Sequence, residues 1–245
     1  MTSLMRSVES YLSSGVASCA EASLYAYQPS EQAATHGVLH LIEPQHTARH
    51  TLEQFIAEGF SRHYQANVQH FMPHLLGVLL SEQWQAVLGI RFATEGPLFT
   101  EQYLTLNAEQ ALQQQHIECQ RADIAEIGHL YAQSRSALMQ LFVLMVQALH
   151  QLDVKQLLFS ATSDLKRLLR RHGISLLELA SANPECLGDK AKDWGSYYQS
   201  QPDVCVLSVT QAAQRIQADP RLQQLIFRHW PQLHALVDTL MEAKL

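Results

Sequence analysis

Short apolar runs alternate with amphipathic stretches along most of the chain, and turn signals separate them. Residues 37–42 read as a strand closed by Pro44. Residues 47–64 carry Leu52, Phe55, Ile56 and Phe60 at helical spacing, which predicts a helix with one buried face. A hairpin follows, with strands over 74–80 and 85–92 around the polar segment 81–84. Gly96-Pro97 breaks the pattern, and Asn107 is placed to cap a helix through Gln115. Residues 124–131 form another apolar run, this one carrying a carboxylate, Glu126, and Ser134-Arg-Ser-Ala137 leads directly into an apolar helix over 136–151. The remainder predicts a strand over 155–160 and a helix capped by Ser163 or Asp164 that stops at His172-Gly173. Strands over 175–180 and 203–209 follow, then two helices split by Asp219-Pro220.

In order, one helix follows the first strand, a meander comes next, and two crossover units complete the pattern. That order predicts an α/β domain with a mixed central sheet and helices on both faces, the order of the Gcn5-related N-acetyltransferase (GNAT) superfamily. Residues 36–210 would form this domain, with 211–245 as helices packed on it. Residues 1–35, rich in Ser and Ala and weakly periodic, read as a partly helical N-terminal extension.

Composition narrows the function classes. Of 245 residues, 47% are hydrophobic, enough to fill a core, and the net charge of −6 lacks the basic field that nucleic-acid binding needs. No apolar run is long enough to span a bilayer. The four cysteines, Cys19, Cys119, Cys186 and Cys205, make neither a metal pattern nor a disulfide framework, so reduced thiols in the cytoplasm are expected. Val16-Ala-Ser-Cys19 has the look of a lipoprotein cleavage site but no apolar stretch precedes it. Among the thirteen histidines, His46/His50 and His70/His74 are closely spaced, but neither pair has an HExxH glutamate or a thiolate beside it, and no metal is expected.

Three blocks carry a resemblance to a known family: residues 62–76, residues 87–104, and the segments Ala125-Glu-Ile-Gly-His-Leu130, Phe159-Ser-Ala-Thr162 and Leu165-Lys-Arg-Leu-Leu-Arg-Arg-His-Gly173 taken together. With Trp194-Gly-Ser-Tyr-Tyr198 they resemble the bacterial thermostable hemolysin family over roughly residues 45–210. That family in turn resembles acyl-homoserine-lactone (autoinducer) synthases, which share the acetyltransferase-like fold. Gly89-Ile-Arg-Phe92 with Gly96-Pro97 is similar to the synthases' Gly-x-x-Arg-Leu strand and proline loop. Glu126-Ile-Gly-His129 is similar to their Glu-Leu-Ser-Arg strand, except that His129 stands where they carry arginine. The acidic residues that hold S-adenosylmethionine in the synthases have no counterpart, so that substrate is not implied.

The resemblance implies an acyltransferase that takes its acyl group from a phosphopantetheine thioester, on coenzyme A or on an acyl-carrier protein, and passes it to a small amine. Glu126, paired with Arg91 and aided by a backbone N–H near His129, would then handle the amine proton and the oxyanion. The pantetheine arm would lie along Ile127 and Gly128. Helix N-termini bind anions because their first amides lack partners, so Ser134, Arg135, Ser136 and Ala137 would meet the phosphates. Glu101 and Tyr103 would wall the acceptor site, and Trp194, Tyr197 and Tyr198 an acyl tunnel. Lys166, Arg167, Arg170 and Arg171 share a helical face that would dock an acidic carrier protein or the phosphates of coenzyme A. Each feature has a plain structural alternative: a strand ion pair, a helix cap, a surface turn, an aromatic edge and a solvated basic face. Two other function classes stay open. One is a membrane-active lytic protein, as the family name says. The other is an acyl- or carrier-binding module without chemistry, which the histidine at 129 favours.

Overall fold

The computed structural model describes residues 37–244; the expected N-terminal extension and Cys19 lie outside them. Seven strands form one mixed sheet: β1 (Val38–Ile42), β2 (His74–Leu80), β3 (Gln83–Phe92), β4 (Ile124–Ala132), β5 (Gln156–Ala161), β6 (Leu177–Ser181) and β7 (Asp203–Ser208). Their order is β1-β2-β3-β4-β5-β7-β6, and β4–β5 is the parallel pair. The helices are α1 (Arg49–Tyr64), α2 (Ala108–Gln114), α3 (Arg135–Gln151), α4 (Ser163–Arg171), α5 (Val209–Gln217), α6 (Pro220–Arg228) and α7 (Trp230–Lys244). The fold class is the one expected.

Strand alternation assigns the two faces. Leu75 and Val87 point to α1, where Leu52, Ile56 and Phe60 form one core. Leu76, Val78, Leu88, Ile90, Phe92, Ala125 and Ile127 point the other way, to α3. Helix α3 is apolar all round because it is covered all round: the sheet packs on one side, and α5, α6 and α7 supply Ile216, Ile226 and Leu236 on the other. Arg91 and Glu126, one residue out of phase with Ile90 and Ile127, therefore lie on the α1 face.

Several boundaries differ from expectation. The hairpin turn is only Ser81-Glu82, both at positive φ (48° and 62°), so Trp84 is inside β3. A two-residue turn of this hand twists as the strands do, but its usual Gly or Asn is missing from the sequence. Thr162, not Ser163 or Asp164, caps α4 by accepting from the Leu165 amide, and β6 starts at Leu177. Three helices rather than two end the described chain. The last break falls at His229, and Pro231, lacking an N–H, fits the opening turn of α7. No helix among the described residues is long and apolar enough to cross a membrane.

Candidate active site

The site is built where β4 changes partner. Against β5 it pairs only through Ile124, Ala125 and Glu126, and then the two strands part. Against β3, Gly89 faces Gly128 but Val87 faces Tyr131, so β4 spends three residues where β3 spends two. The extra residue makes a β-bulge, and His129 sits in it at φ 53°. A non-glycine residue in the left-handed region is uncommon and clusters at functional sites. The facing glycines let Met72 rest directly on the sheet: a Cβ on Gly89 would lie 2.6 Å from Met72 Cβ, and one on Gly128 2.8 Å from Met72 Cε.

A cavity of about 950 Å³ opens at this parting. Its walls come from α1 (Phe60, Tyr64), the loop before β2 (Phe71, Met72), the bulge, β5 (Phe159, Ser160), α4 and the segment around Trp194 and Tyr197. The roof is fixed by two main-chain bonds: the Ser196 amide donates to Tyr64 O at 2.7 Å, and the Asn67 amide to Asp193 O at 2.6 Å. Gly195 makes this crossing possible, since a Cβ there would collide with the Tyr64 carbonyl oxygen. Arg49, buried under the same loop, donates to the carbonyls of Ile42, Met72 and Pro73.

Glu126 is 1% exposed and lines the cavity. Its Oε2 accepts from the Phe99 amide at 2.8 Å and its Oε1 from the Thr100 amide at 2.6 Å. Burial raises its pKa above the ordinary carboxylate value, although those donors and the positive charge of Arg91 pull the other way. The direct ion pair expected with Arg91 is absent. The two residues are register partners across β3–β4, but Arg91 donates to Pro97 O at 3.3 Å instead, and the two loop amides occupy the carboxylate. Arg91 still lines the cavity, half-buried. His129 lines it as well. Burial drives its imidazole down to about 4, so it is neutral at physiological pH, and its Nδ1 has no hydrogen-bond partner.

The other expected residues divide. Ile127, Gly128, Tyr103, Trp194, Tyr197, Arg135, Arg167 and Arg171 all line the cavity. Ser134 caps α3 by accepting from the Ala137 amide at 3.1 Å, and the first amides of the helix, those of Arg135 and Ser136, have no intrahelical acceptor; Ser136 and Ala137 themselves do not line the cavity. Tyr198 stands behind the wall, with its hydroxyl 2.6 Å from that of Tyr103. Glu101, expected to wall an acceptor site, does not line the cavity. It is ion-paired to Arg121 and accepts from the amides of Leu98 and Ala108. Burial pulls its pKa up, but these partners outweigh it and hold the carboxyl below the usual range. Lys166 is not a docking cation either, because it is buried in ion pairs with Glu178 and Asp203, while Arg170 pairs with Glu178 and Arg167 with Asp164. Arg171 makes no ion pair among the described residues.

Sequence reasoning missed the amides of Phe99 and Thr100, Arg49, Arg121, Met72 and Ser160. Only Met72 had a trace in sequence, the two glycines it rests on. No three His, Cys, Asp or Glu side chains converge as a metal site among the described residues.

Solved structures share this architecture at low identity. BjaI, a CoA-dependent acyl-homoserine lactone synthase solved with MTA, superposes with a TM-score of 0.53 at 12% identity, covering 79% of this chain and 89% of BjaI. TofI in an apo form gives 0.52 at 13%, covering 75% and 98%. FeeM, an N-acyl amino acid synthase from uncultured soil microbes, gives 0.51 at 10%, covering 73% and 93%. No curated protein matches the sequence. At such identities the likeness shows a shared fold, the GNAT-like fold of these synthases. The family profile for thermostable hemolysin, in contrast, matches residues 42–213, most of the chain, and so this protein belongs to the thermostable hemolysin family.

Proposed function

We propose that the protein is an acyltransferase that moves an acyl group from a phosphopantetheine thioester to a small amine. The observation that carries this reading is a buried carboxylate, Glu126, with a raised pKa, in a large cavity beside a strand that has let go of its neighbour. A strand freed at Glu126 offers main-chain groups to an extended amide-bearing ligand, which is what a pantetheine arm is. Beyond the bulge, that ligand would approach the N-terminus of α3 and the exposed cations Arg135, Arg171 and Lys190, where phosphates are stabilised. The aromatic walls, Phe60, Tyr64, Trp194 and Tyr197 among them, suit an acyl chain.

In the reaction, the amine nitrogen attacks the thioester carbonyl, the C–N bond forms and the C–S bond breaks. Glu126, directly or through water, takes a proton from the incoming ammonium, and the second proton lost from nitrogen goes to the leaving thiolate. Main-chain N–H groups at the bulge would meet the oxyanion. The FeeM and BjaI likenesses are in keeping with this chemistry. Release of free thiol from a panel of acyl-CoA donors of increasing length, read together with native mass spectrometry, tests it. Donor-dependent thiol release with a mass-identified amide product is expected, and no release with any donor or amine counts against it.

One observation favours a second reading, an acyl-binding module without turnover. Both Glu126 oxygens already hold the loop at Phe99 and Thr100, a structural task. Tight donor binding without thiol release would select it.

A further inference from the structure

Two buried side-chain polar atoms without a partner among the described residues, His129 Nδ1 and Ser160 Oγ, belong to residues lining the same cavity. Buried polar groups are normally satisfied, so their concentration here marks the space as one for a polar ligand. The charges say which kind. Arg91 is a half-buried guanidinium that donates a long hydrogen bond to a carbonyl, and it makes no ion pair among the described residues. On the neighbouring strand, in register with it and on the same face, stands Glu126. The exposed cations Arg135, Arg171 and Lys190 sit at the rim, so Arg91 is the interior positive charge beside the reacting carboxylate.

We infer that the acceptor is a free α-amino acid, its carboxylate held by Arg91 and its ammonium by Glu126. This deepens the acyltransferase reading and rests on it. Guanidinium matches carboxylate as a planar fork, and a half-buried, unpaired one gains most from such a ligand. In an α-amino acid the two charges are separated by one carbon, so a single small molecule spans residues that face each other across one pair of strands. Its side chain would then point to the aromatic wall, where Phe99 packs on Trp194 with ring centroids 5.6 Å apart. A simple amine would leave Arg91 without a counter-charge, which penalises it as an acceptor.

Matched acceptors test this on the unmodified full chain. With a donor that supports thiol release, L-leucine is compared with 3-methylbutylamine and L-tyrosine with tyramine, N-acyl products being quantified by mass spectrometry. The amino acids should exceed the matching amines in kcat/KM by about 10²-fold or more. Arg91→Met should raise KM for the amino acid and collapse that preference, and Arg91→Lys should restore part of it. Equal use of amine and amino acid, or preference for the amine, overturns the inference while leaving the acyltransferase reading intact. If no donor turns over, saturation-transfer NMR decides: carboxylate-dependent binding of leucine that Arg91→Met removes supports the subsite although the enzyme reading fails, and no binding of either compound overturns both.

Discussion

At the scale of single residues, two buried ionisable groups set expectations of opposite kind. Glu126→Gln removes the charge but also places an amide NH2 against one of two main-chain donors, Phe99 N or Thr100 N. Turnover should therefore fall about 10²–10⁴-fold, and stability should drop by about 1–3 kcal/mol because one donor is left unsatisfied. Steady-state kinetics and urea unfolding on the same preparation separate the two effects; unchanged turnover would remove Glu126 from the chemistry. His74 lies outside the cavity, 4% exposed, with Nδ1 2.9 Å from Glu43 and Nε2 2.9 Å from Glu95. Burial lowers its pKa, but the carboxylates outweigh burial and the net shift is upward from 6.5. The folded protein thus holds this proton more tightly than the unfolded chain. Its stabilisation is complete below the unfolded value and fades as pH rises through the folded one. Urea midpoints measured from pH 6 upward should decline in the parent and stay flatter in His74→Gln, and parallel declines would refute the assignment.

Elements rather than side chains place the site. The segment between β3 and β4 brings two amides to Glu126, and Arg121 pins it by pairing with Glu101 and Glu109 and donating to the carbonyls of Ala93 and Gly96. Arg121→Met should loosen those amides, raise the proton affinity of Glu126 further and move the acidic limb of the pH–rate profile to higher pH. A uniform loss of activity without a shift would make Arg121 a purely structural residue. Gly89→Ala, which sets a methyl 2.6 Å from Met72 Cβ, should cost about 1–3 kcal/mol through overpacking, readable as a lower thermal midpoint. Most elements were legible in sequence because period and punctuation are local: β2 and α3 follow from runs such as 74–80 and 138–149, and Asn107 and Ser134 cap as expected. The electrostatic partners were not. Glu101 and Arg121, twenty residues apart, meet only after the intervening loop folds back, and Lys166 finds Asp203 only once β7 pairs with β5. Spacing on one helix showed the basic stripe of α4 but could not show that Glu178 and Asp203, from β6 and β7, already neutralise Lys166 and Arg170.

For the whole molecule, the distribution of free charge matters more than its sum. The net charge is −6, yet the cavity rim carries Arg135, Arg171 and Lys190. Arg171→Glu combined with Lys190→Glu should weaken binding of coenzyme A about tenfold at low ionic strength, with the difference shrinking in high salt as screening takes over. Isothermal titration at two salt concentrations reads this directly, and a salt-independent loss would point to distortion instead of electrostatics.

The parting of β4 from β5 gives the centre of the sheet the solvent behaviour of its margin. Amide hydrogens on the β5 side of the bulge should exchange with deuterium far faster than those of Ala125 or Leu157, a few ångströms away, although all belong to interior strands. A bound acyl donor that lies along this gap should slow them, and the map of slowed amides would trace its path through the protein.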